Sequence, residues 1–249
     1  MYIELLKKCL LDCIYNPTGS RVYTPGQLTN LSDKVVNVPM SIVEEGRYWP
    51  KRAHTMIGYK RLNNIQHCFE SIIKDEIDGD LIETGVWRGG ATIFMQGLNR
   101  YYNQNRKIYV ADSFEGLPKP DKRYPSDEGD DHHSQEFLKV SIEEVTNNFQ
   151  RYDLLDDNVL FVKGFFEDTL HLVPIEKLAI LRMDGDMYSS TIQTLNALYH
   201  KVSVGGYIIV DDYALKGCRA AVADFRKEHN ITDPIEHIDY MGSFWRKLT

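Results

Sequence analysis

The stretch Ile180-Leu181-Arg182-Met183-Asp184-Gly185-Asp186-Met187-Tyr188-Ser189-Ser190 decides the fold of this 249-residue chain. A mostly apolar run that ends abruptly in acids is typical of a buried strand that carries carboxylates at its carboxyl end. The run Gly206-Tyr207-Ile208-Ile209-Val210-Asp211-Asp212-Tyr213 has the same form. Because ligands of open α/β sheets bind at that end of the strands, we expect the acids of both runs to meet. A group of carboxylates of this kind suits a hard divalent cation. Its members would be Asp184, Asp186, Asp211 and Asp212. Helix N-capping, the alternative, would need only one Asp per strand.

The composition is that of an ordinary globular protein, with 43% hydrophobic and 26% charged residues. A formal net charge of -7 argues against a general binder of nucleic acid or of anionic membranes. No stretch approaches the ~20 apolar residues of a membrane span, and the N-terminal stretch lacks the clean apolar core of a signal peptide. We therefore expect a cytoplasmic protein. Its four cysteines include no CxxC pair and are predicted to be buried structural thiols: Cys9, Cys13, Cys68 and Cys218.

Around these two runs the chain alternates strand and helix patterns, which predicts one doubly wound α/β domain over residues 1–249. Residues 1–50 are expected to form a helical or lid-like extension, and 51–249 the core, without internal repeats or a dividing linker. A closing antiparallel hairpin is predicted from 234–240 and 242–248. The other predicted strands cover 81–83, 107–111 and 158–164. One helix is predicted directly after the first glycine turn. The other predicted helices cover about 1–15, 54–73, 141–149, 191–200 and 216–229.

The first strand of the core leads into a glycine turn and a helix, Glu83-Thr84-Gly85-Val86-Trp87-Arg88-Gly89-Gly90. Glycines let the backbone turn tightly and approach a ligand, but this spacing is neither the GxGxxG of a dinucleotide site nor a P-loop. Glu83 would repel a phosphate and could accept a hydrogen bond from a ligand's ammonium group. At the tip of the next strand, Asp112 stands where an acid grips ribose hydroxyls in mononucleotide-binding units. The alternative is that Asp112 caps the following segment.

Three segments are open to more than one interpretation. Tyr48 and Trp49 are predicted in a loop, either as an anchor for the extension or as a lid over a pocket. The polar stretch 117–135 contains Asp127-Glu128-Gly129-Asp130-Asp131-His132-His133 and is predicted to be a solvated loop rather than a metal site. The pair Phe165-Phe166 either stacks on a flat ring or packs in the core.

The acids at the two strand ends suggest a reaction. A cation at Asp184, Asp211 and Asp212 could orient two vicinal oxygens of a substrate and lower the pKa of one hydroxyl. Asp186 would then be free to accept that proton. Such a site suits transfer of an electrophilic group to a hydroxyl, whereas Ser/His/Asp hydrolysis fits poorly because the chain has no GxSxG motif. Residue-level reasoning thus predicts metal-dependent group transfer with a nucleoside-containing cofactor.

Five motifs resemble, in the same order, those of the macrocin/mycinamicin sugar O-methyltransferase family. They are His54-Thr55-Met56-Ile57-Gly58, the glycine turn, Val110-Ala111-Asp112-Ser113-Phe114, Arg182-Met183-Asp184-Gly185-Asp186 and Asp211-Asp212-Tyr213. The resemblance extends from about residue 48 to the C-terminus. It implies a Rossmann-like methyltransferase sheet, S-adenosylmethionine and Mg²⁺ as cofactors, and methylation of a sugar hydroxyl, usually on a deoxysugar of a natural product such as an antibiotic.

The resemblance also implies roles for individual residues. Mg²⁺ would be bound by Asp184, Asp211 and Asp212, and Asp186 would be the general base. The implied cofactor contacts are Met56, Glu83, Thr84, Gly85, Asp112 and Ser113. The implied partners are a small sugar-containing acceptor and a second copy of the chain in a homodimer, without nucleic acid or membrane. The acceptor sugar could belong to a natural-product glycoside, a nucleotide sugar or a surface polysaccharide.

Two other functions are compatible with parts of the sequence. Asp184-Gly185-Asp186 satisfies the DxD pattern of metal-dependent glycosyltransferases, but that reading leaves the glycine turn and Asp211-Asp212 unexplained. A binding module that kept the cofactor fold and lost catalysis is the other alternative. The presence of all four acids argues against it.

Overall fold

The computed structural model describes residues 1–14, 21–24, 27–30 and 38–249, and for 21–24 and 27–30 it describes the backbone alone. The helices are α1 (Tyr2–Leu10), α2 (Met40–Glu44), α3 (Tyr59–Lys74), α4 (Gly90–Tyr101), α5 (Ile142–Arg151), α6 (Phe166–Thr169), α7 (Tyr188–Leu198) and α8 (Lys216–Glu228). The strands are β1 (Arg21–Thr24), β2 (Gln27–Asn30), β3 (Tyr48–Trp49), β4 (Asp80–Thr84), β5 (Ile108–Asp112), β6 (Val159–Lys163), β7 (Leu178–Met183), β8 (Val202–Val210), β9 (Glu236–His237) and β10 (Ser243–Arg246).

Seven strands form the main sheet in the order β6-β5-β4-β7-β8-β10-β9. The strands β4 to β8 are parallel, and β10 pairs antiparallel with both β8 and β9. The chain fills one half of the sheet with β4, β5 and β6 and then crosses to β7, so the switch point lies between β4 and β7. The predicted doubly wound α/β sheet with a closing hairpin is confirmed.

Helices cover both faces of this sheet, and the central strand β7 is therefore buried at all six positions. On one face, apolar side chains of α1, α3, α4 and α5 form a single cluster with the sheet. On the other face, α7 and α8 pack through residues such as Leu195 and Phe225. The acids at the strand ends therefore lie on a rigid, two-sided support.

The N-terminal residues divide between the core and a small second sheet. Helix α1 packs on α4, where Gly97 leaves room for the side chain of Leu6. It ends at Leu10 rather than near residue 15, which lies outside the described residues. The predicted loop at Tyr48 and Trp49 is wrong, because these residues form β3 and pair with β1 in the order β2-β1-β3. The side chain of Tyr48 is buried.

The prediction of a solvated loop at 117–135 is wrong for part of that segment. Asp127 is 3% exposed, and its carboxylate accepts hydrogen bonds from the backbone N–H groups of Tyr188 (2.7 Å) and Ser189 (2.9 Å). These groups belong to the first turn of α7, which has no partner for them within the helix. Asp127 therefore caps α7 from a distant part of the chain and holds its own segment against that helix.

Two expectations about side chains and length can be compared with the structure. Cys68 and Cys218 are buried thiols, as predicted, whereas Cys9 and Cys13 are half-buried. No helix within the described part of the chain has the length and apolarity required to cross a bilayer.

Candidate functional site

Two cavities open at the carboxyl edge of the parallel strands. The first, about 230 Å³, lies over the ends of β4 and β5 and reaches Phe165 and Phe166. The second, about 310 Å³, lies over the ends of β7 and β8 and reaches Trp49 and Tyr240. Five residues line both cavities: Met56, Trp87, Leu138, Asp184 and Asp186. The two cavities therefore meet at the acid-tipped end of β7.

The loops after β4 and β7 approach each other closely at this point. Gly85 has a φ of +87°, and a side chain there would collide with the backbone carbonyl of Asp184. A residue with a side chain is excluded at position 85 because the neighbouring loop, not a phosphate, fills the space.

One residue other than glycine in each loop after β4, β5 and β7 adopts a left-handed conformation, which is unusual for residues with side chains. They are Trp87 (φ 48°), Phe114 (φ 57°) and Asp186 (φ 58°). Trp87 and Asp186 line both cavities. Strained backbone of this kind is concentrated at functional sites, where the surrounding structure holds it in place.

Asp112, the last residue of β5, lies in the wall of the first cavity. One carboxylate oxygen accepts from the N–H of Val86 at 2.7 Å, and the other accepts from the N–H of Phe114 at 2.8 Å. Burial raises the pKa of Asp112 although these backbone donors favour its charged form. Asp112 thus ties the loop after β4 to the loop after β5 while lining the cavity. Both interpretations of this residue, as a cap and as a cavity acid, are compatible with its contacts.

A buried arginine connects the acids of the second cavity. Arg182 of β7 is fully buried and donates to Glu83 of β4, to Asp211 beyond β8, and to Asp184 at 2.8 Å. Burial raises the pKa of Glu83 to about 8 despite this guanidinium. The second oxygen of Glu83, Oε2, is buried without a hydrogen-bond partner. An unpaired buried carboxylate oxygen is costly, so it marks a place where a ligand can donate.

The predicted cation ligands come together. Carboxylate oxygens of Asp184, Asp211 and Asp212 lie within 4.8 Å of one another. Burial, then the charge of Asp211, raises the pKa of Asp184, and burial followed by the charges of Asp186 and Asp184 raises that of Asp212 well above its usual value. Three acids this close disfavour their own ionisation, and a divalent cation would relieve that repulsion.

Asp186 stands at the junction of the two cavities. Its backbone N–H donates to Asp212 at 3.0 Å, and burial raises the pKa of its carboxyl to about 7. The charge of His132 opposes this shift. The His132 ring bonds Asp130 at 2.8 Å, and this bond raises the pKa of His132 to about 9. A carboxylate that titrates near neutral pH is well suited to accept a proton.

The structure separates the other predicted cofactor residues. Met56 and Gly85 line the first cavity, and Ser113 does too although its hydroxyl donates to the carbonyl of Gly116 at 2.6 Å. Thr84 differs, because its side chain is fully buried against the backbone of Arg182 and lines neither cavity. Phe165 is 39% exposed in the cavity wall, whereas Phe166 also packs against the core.

Sequence reasoning assigned no role to Arg182, Arg61, His132 and Asp239. Arg182 had a signal, because a charged residue inside an otherwise apolar strand requires buried acids as partners. His132 had only its acidic neighbours. Arg61 bonds Asp211 and Asp239, which are 150 and 178 residues away in the chain, so no local pattern could have identified it.

Comparisons with known proteins agree with this geometry. Residues 1–247 match the family "Macrocin-O-methyltransferase (TylF)". The chain is 44% identical to mycinamicin III 3''-O-methyltransferase of Micromonospora griseorubida, over 99% of this chain and 96% of the relative. It is 44% identical to demethyldecarbamoylnovobiocin O-methyltransferase of Streptomyces niveus, over 99% and 93%. It is 43% identical to an 8-demethyl-8-(2,3-dimethoxy-alpha-L-rhamnosyl)-tetracenomycin-C 4'-O-methyltransferase of Streptomyces olivaceus, over 99% and 92%.

Solved structures support the same assignment. The O-methyltransferase NovP is 44% identical and superposes with a TM-score of 0.89, covering 100% of this chain and 98% of that one. The calicheamicin methyltransferase CalS11, 17% identical with a TM-score of 0.59 over 76% of this chain and 79% of its own, shares the fold. A methyltransferase family implies S-adenosylmethionine as the methyl donor, and it removes the glycosyltransferase alternative. The chain belongs to the macrocin-O-methyltransferase (TylF) family of sugar O-methyltransferases.

Proposed function

We propose that this protein transfers the methyl group of S-adenosylmethionine to a sugar hydroxyl of a glycosylated small molecule, with Mg²⁺ at Asp184, Asp211 and Asp212 and Asp186 as general base. The observation that carries the proposal is the meeting of two cavities at Asp186. The first cavity has the features of a nucleoside site, and the second contains the carboxylates of Asp184, Asp211 and Asp212. A methyl donor and an acceptor would then meet beside a carboxylate suited to accept a proton.

The first cavity fits a cofactor without phosphates. The exposed ring of Phe165 offers a face for adenine, and Asp112 offers a carboxylate for ribose hydroxyls. Glu83 lines the second cavity next to Asp184 of the junction, and its unpartnered Oε2 can accept from the ammonium group of the methionine part. Ser189 adds a buried hydroxyl without a partner in the wall of the first cavity. When bound, S-adenosylmethionine supplies an electrophilic methyl group on a sulfonium.

The donor set in the second cavity fits a hard cation. Carboxylate oxygens are the ligands that Mg²⁺ prefers, and three acids supply them. A divalent cation held there supplies positive charge that favours the deprotonated form of an acceptor hydroxyl. Asp186 lines the same cavity and takes up that proton, while Trp87 and Leu138 cover the junction and exclude water.

The charge of the second cavity favours a neutral glycoside over a nucleotide sugar. Its described lining contains six acids: Glu83, Asp131, Asp184, Asp186, Asp211 and Asp212. The cations in that lining are Arg61 and His132, and both already pair with carboxylates. Apart from the proposed Mg²⁺, a diphosphate would therefore find acids and no unpaired cationic side chain in the described lining, whereas Trp49, Phe137 and Tyr240 offer surface for an apolar aglycone. Of the relatives named above, one is named for mycinamicin III and another for a rhamnosyl-tetracenomycin compound.

The experiment is isothermal titration with S-adenosylhomocysteine, with and without Mg²⁺, on protein stripped by chelator. Methyl transfer is then assayed over a panel of neutral glycosides and nucleotide sugars. We expect binding of S-adenosylhomocysteine, and Mg²⁺-dependent transfer to a glycoside. Failure of S-adenosylhomocysteine to bind under either condition would refute the proposal, and transfer confined to nucleotide sugars would refute the acceptor class.

Asp186→Asn tests the role of the base. We expect the variant to bind S-adenosylhomocysteine and Mg²⁺ normally and to lose turnover by ~10²–10⁴-fold, the scale of general-base catalysis. The matched control is Asp168→Asn. It changes an exposed acid that lines the first cavity and does not line the second. Full activity of Asp186→Asn would assign the proton transfer to another group. The homodimer implied by the family stays a prediction, which analytical ultracentrifugation tests directly.

A further inference from the structure

Arg61 lies where three parts of the second cavity wall come together. It belongs to the first turn of α3, is 6% exposed, and lines the cavity. Its guanidinium contacts the acid beyond β8, the loop between β9 and β10, and the segment before β3. These three elements lie apart from one another in the sequence, and Arg61 contacts all of them.

The first contact fixes Asp211. Nη1 of Arg61 donates to one oxygen of that carboxylate, and Nη2 of Arg182 donates to the other. The carboxylate is therefore held from both sides and cannot rotate freely. An ionised carboxylate offers about four lone-pair positions, so two guanidinium bonds leave acceptor capacity for a cation. Arg61 thus orients Asp211, one of the three proposed cation ligands, without occupying all of its acceptor positions.

The second contact fixes the loop of residues 239–242. Nε of Arg61 donates to Oδ2 of Asp239 at 3.0 Å, and that side chain is fully buried. The other oxygen, Oδ1, accepts from the backbone N–H groups of Met241 and Gly242, both at 2.8 Å. One carboxylate therefore shapes the loop and anchors it to Arg61. Within that loop, Tyr240 and Met241 line the second cavity.

The third contact involves Gly46, which has a φ of +69°. A side chain at this position would collide with Nη2 of Arg61. The guanidinium of the next residue, Arg47, lies 4.4 Å from the ring centroid of Tyr240. The segment before β3 is thereby held against both Arg61 and the loop that Arg61 anchors.

We propose that Arg61 is a positioning residue that couples the proposed cation ligands to the wall of the second cavity. It does so by joining Asp211 to the loop 239–242 through Asp239. This inference rests on the proposed function, because it assigns the cation to Asp184, Asp211 and Asp212. A cation drawn to Asp211 stabilises the orientation that Arg61 imposes, and the same guanidinium transmits that order to the amides of Met241 and Gly242. Arginine suits this role because its rigid planar fork presents Nε and Nη1 to two separately placed acids, whereas the donors of a lysine ammonium all leave one nitrogen atom.

The test is hydrogen–deuterium exchange of the full-length protein with and without MgCl2, followed at the amides of residues 239–242. In the wild type we expect Mg²⁺ to slow this exchange about tenfold, the scale of one hydrogen bond to a charged group. In Arg61→Lys and in Asp239→Asn we expect Mg²⁺ to have no effect on these amides. Arg61→Lys should also weaken Mg²⁺ binding about tenfold by the same loss, whereas Asp239→Asn leaves the Asp211 contact in place and should weaken it less.

Two controls exclude a purely structural explanation. Lys60→Gln changes the neighbouring, exposed residue of α3 and should preserve the Mg²⁺ response. Titration with S-adenosylhomocysteine should give the wild-type affinity in all three variants, because the first cavity does not contain Arg61 or Asp239. An equal loss of S-adenosylhomocysteine and Mg²⁺ affinity would overturn the proposal as a general loss of structure.

The proposed function and the coupling fail in different ways. A wild type that binds S-adenosylhomocysteine but no Mg²⁺ would refute the cation site and the coupling together. A wild type that binds both, with the same exchange rates at 239–242 in the two states, would refute the coupling alone. Retention of the Mg²⁺ response in Arg61→Lys and Asp239→Asn would also refute the coupling alone.

Discussion

Asp112 is the last residue of β5 and Asp211 directly follows β8, at the same edge of the sheet, yet the two acids are stabilised in different ways. Asp112 is held by backbone N–H groups of two loops, from Val86 and Phe114. Asp211 is held by two guanidinium groups, from Arg61 and Arg182. The first acid is satisfied by neutral dipoles that the fold supplies, and the second by full charges from side chains.

This difference suits the two halves of the site. Backbone dipoles fix Asp112 without adding charge, so the first cavity can take a cofactor that brings its own positive charge. The carboxylates near Asp211 outnumber their guanidinium partners, and burial with mutual repulsion raises the pKa of Asp184 and of Asp212. Both oxygens of Asp112 have hydrogen-bond partners without a ligand, whereas the acids around Asp211 are electrostatically incomplete until a cation binds. Four predictions test this contrast.

The largest effect is expected for Arg182→Met. Removing one partner of a buried ion pair costs about 3–5 kcal/mol, because the remaining charges are left without compensation. At pH 9, above the pKa of about 8 of Glu83, both Glu83 and Asp211 would be left in this state. Urea unfolding should show this loss in the free energy of unfolding. As a control, Arg123→Met removes an exposed ion pair with Asp121 and Glu167 and should have little effect. A stable Arg182→Met protein would mean that the acid cluster is neutral in the folded state.

The next effect separates the two acids by ligand. Asp112→Asn should weaken S-adenosylhomocysteine binding by about 10–100-fold, with or without Mg²⁺, since hydrogen bonds to a charged group contribute ~1.5–3 kcal/mol. Asp211→Asn should leave that affinity unchanged and weaken Mg²⁺ binding instead. Isothermal titration of each variant with each ligand measures both. If either variant lost both ligands equally, the two halves would form one electrostatic unit.

The third prediction concerns pH in the absence of cation. Burial raises the pKa of Glu83 to about 8 and that of Asp186 to about 7, above their values in the unfolded chain. Between pH 5 and 8 the folded protein then binds more protons than the unfolded chain, so stability falls as pH rises. We expect a loss of about 1–2 kcal/mol between pH 7 and 8 in chelator, measured by urea unfolding. Added Mg²⁺ should remove most of this loss, because the cation replaces the protons. A stability that rises with pH in chelator would contradict the assignment.

The smallest effect is expected in the wall of the first cavity. Phe165→Ala should weaken S-adenosylhomocysteine binding by several-fold, since an aromatic pair contributes about 0.5–1.5 kcal/mol beyond its buried area. The melting temperature should hardly change, because Phe165 is 39% exposed. Leu172→Ala, at an exposed position outside both cavities, is the matched control. Unchanged affinity in Phe165→Ala would place the flat ring of the cofactor elsewhere.

The predicted features that depend on local pattern correspond to the structure. The acids after β7 and β8 were identified from an apolar run that ends in Asp, and carboxylate oxygens of Asp184, Asp211 and Asp212 lie within 4.8 Å of one another. The closing hairpin was identified from alternation, and β9 and β10 pair as expected. Parallel strands bring their carboxyl ends to one edge, so the type and order of the strands are sufficient to predict which acids meet there.

The features that failed or were missed depend on contacts between distant segments. Asp127 looked like part of a solvated loop, yet it caps α7 about 60 residues later in the chain. Thr84 adjoins two cavity residues in the sequence, but the alternation of a strand turns its side chain into the core. Arg61 follows the helical pattern of α3 without any local sign of its partners.

The amino-acid sequence alone was enough to identify the sheet, the order of its elements and the acids at its edge, because hydrophobic period and strand ends are properties of neighbouring residues. The tertiary structure was needed for the electrostatic environment of those acids. The partners of Asp211, one on α3 and one on β7, come together only when the chain is packed, and buried charges depend on such partners. The shape of the two cavities arises in the same way, from loops that meet across the ends of β4, β5, β7 and β8.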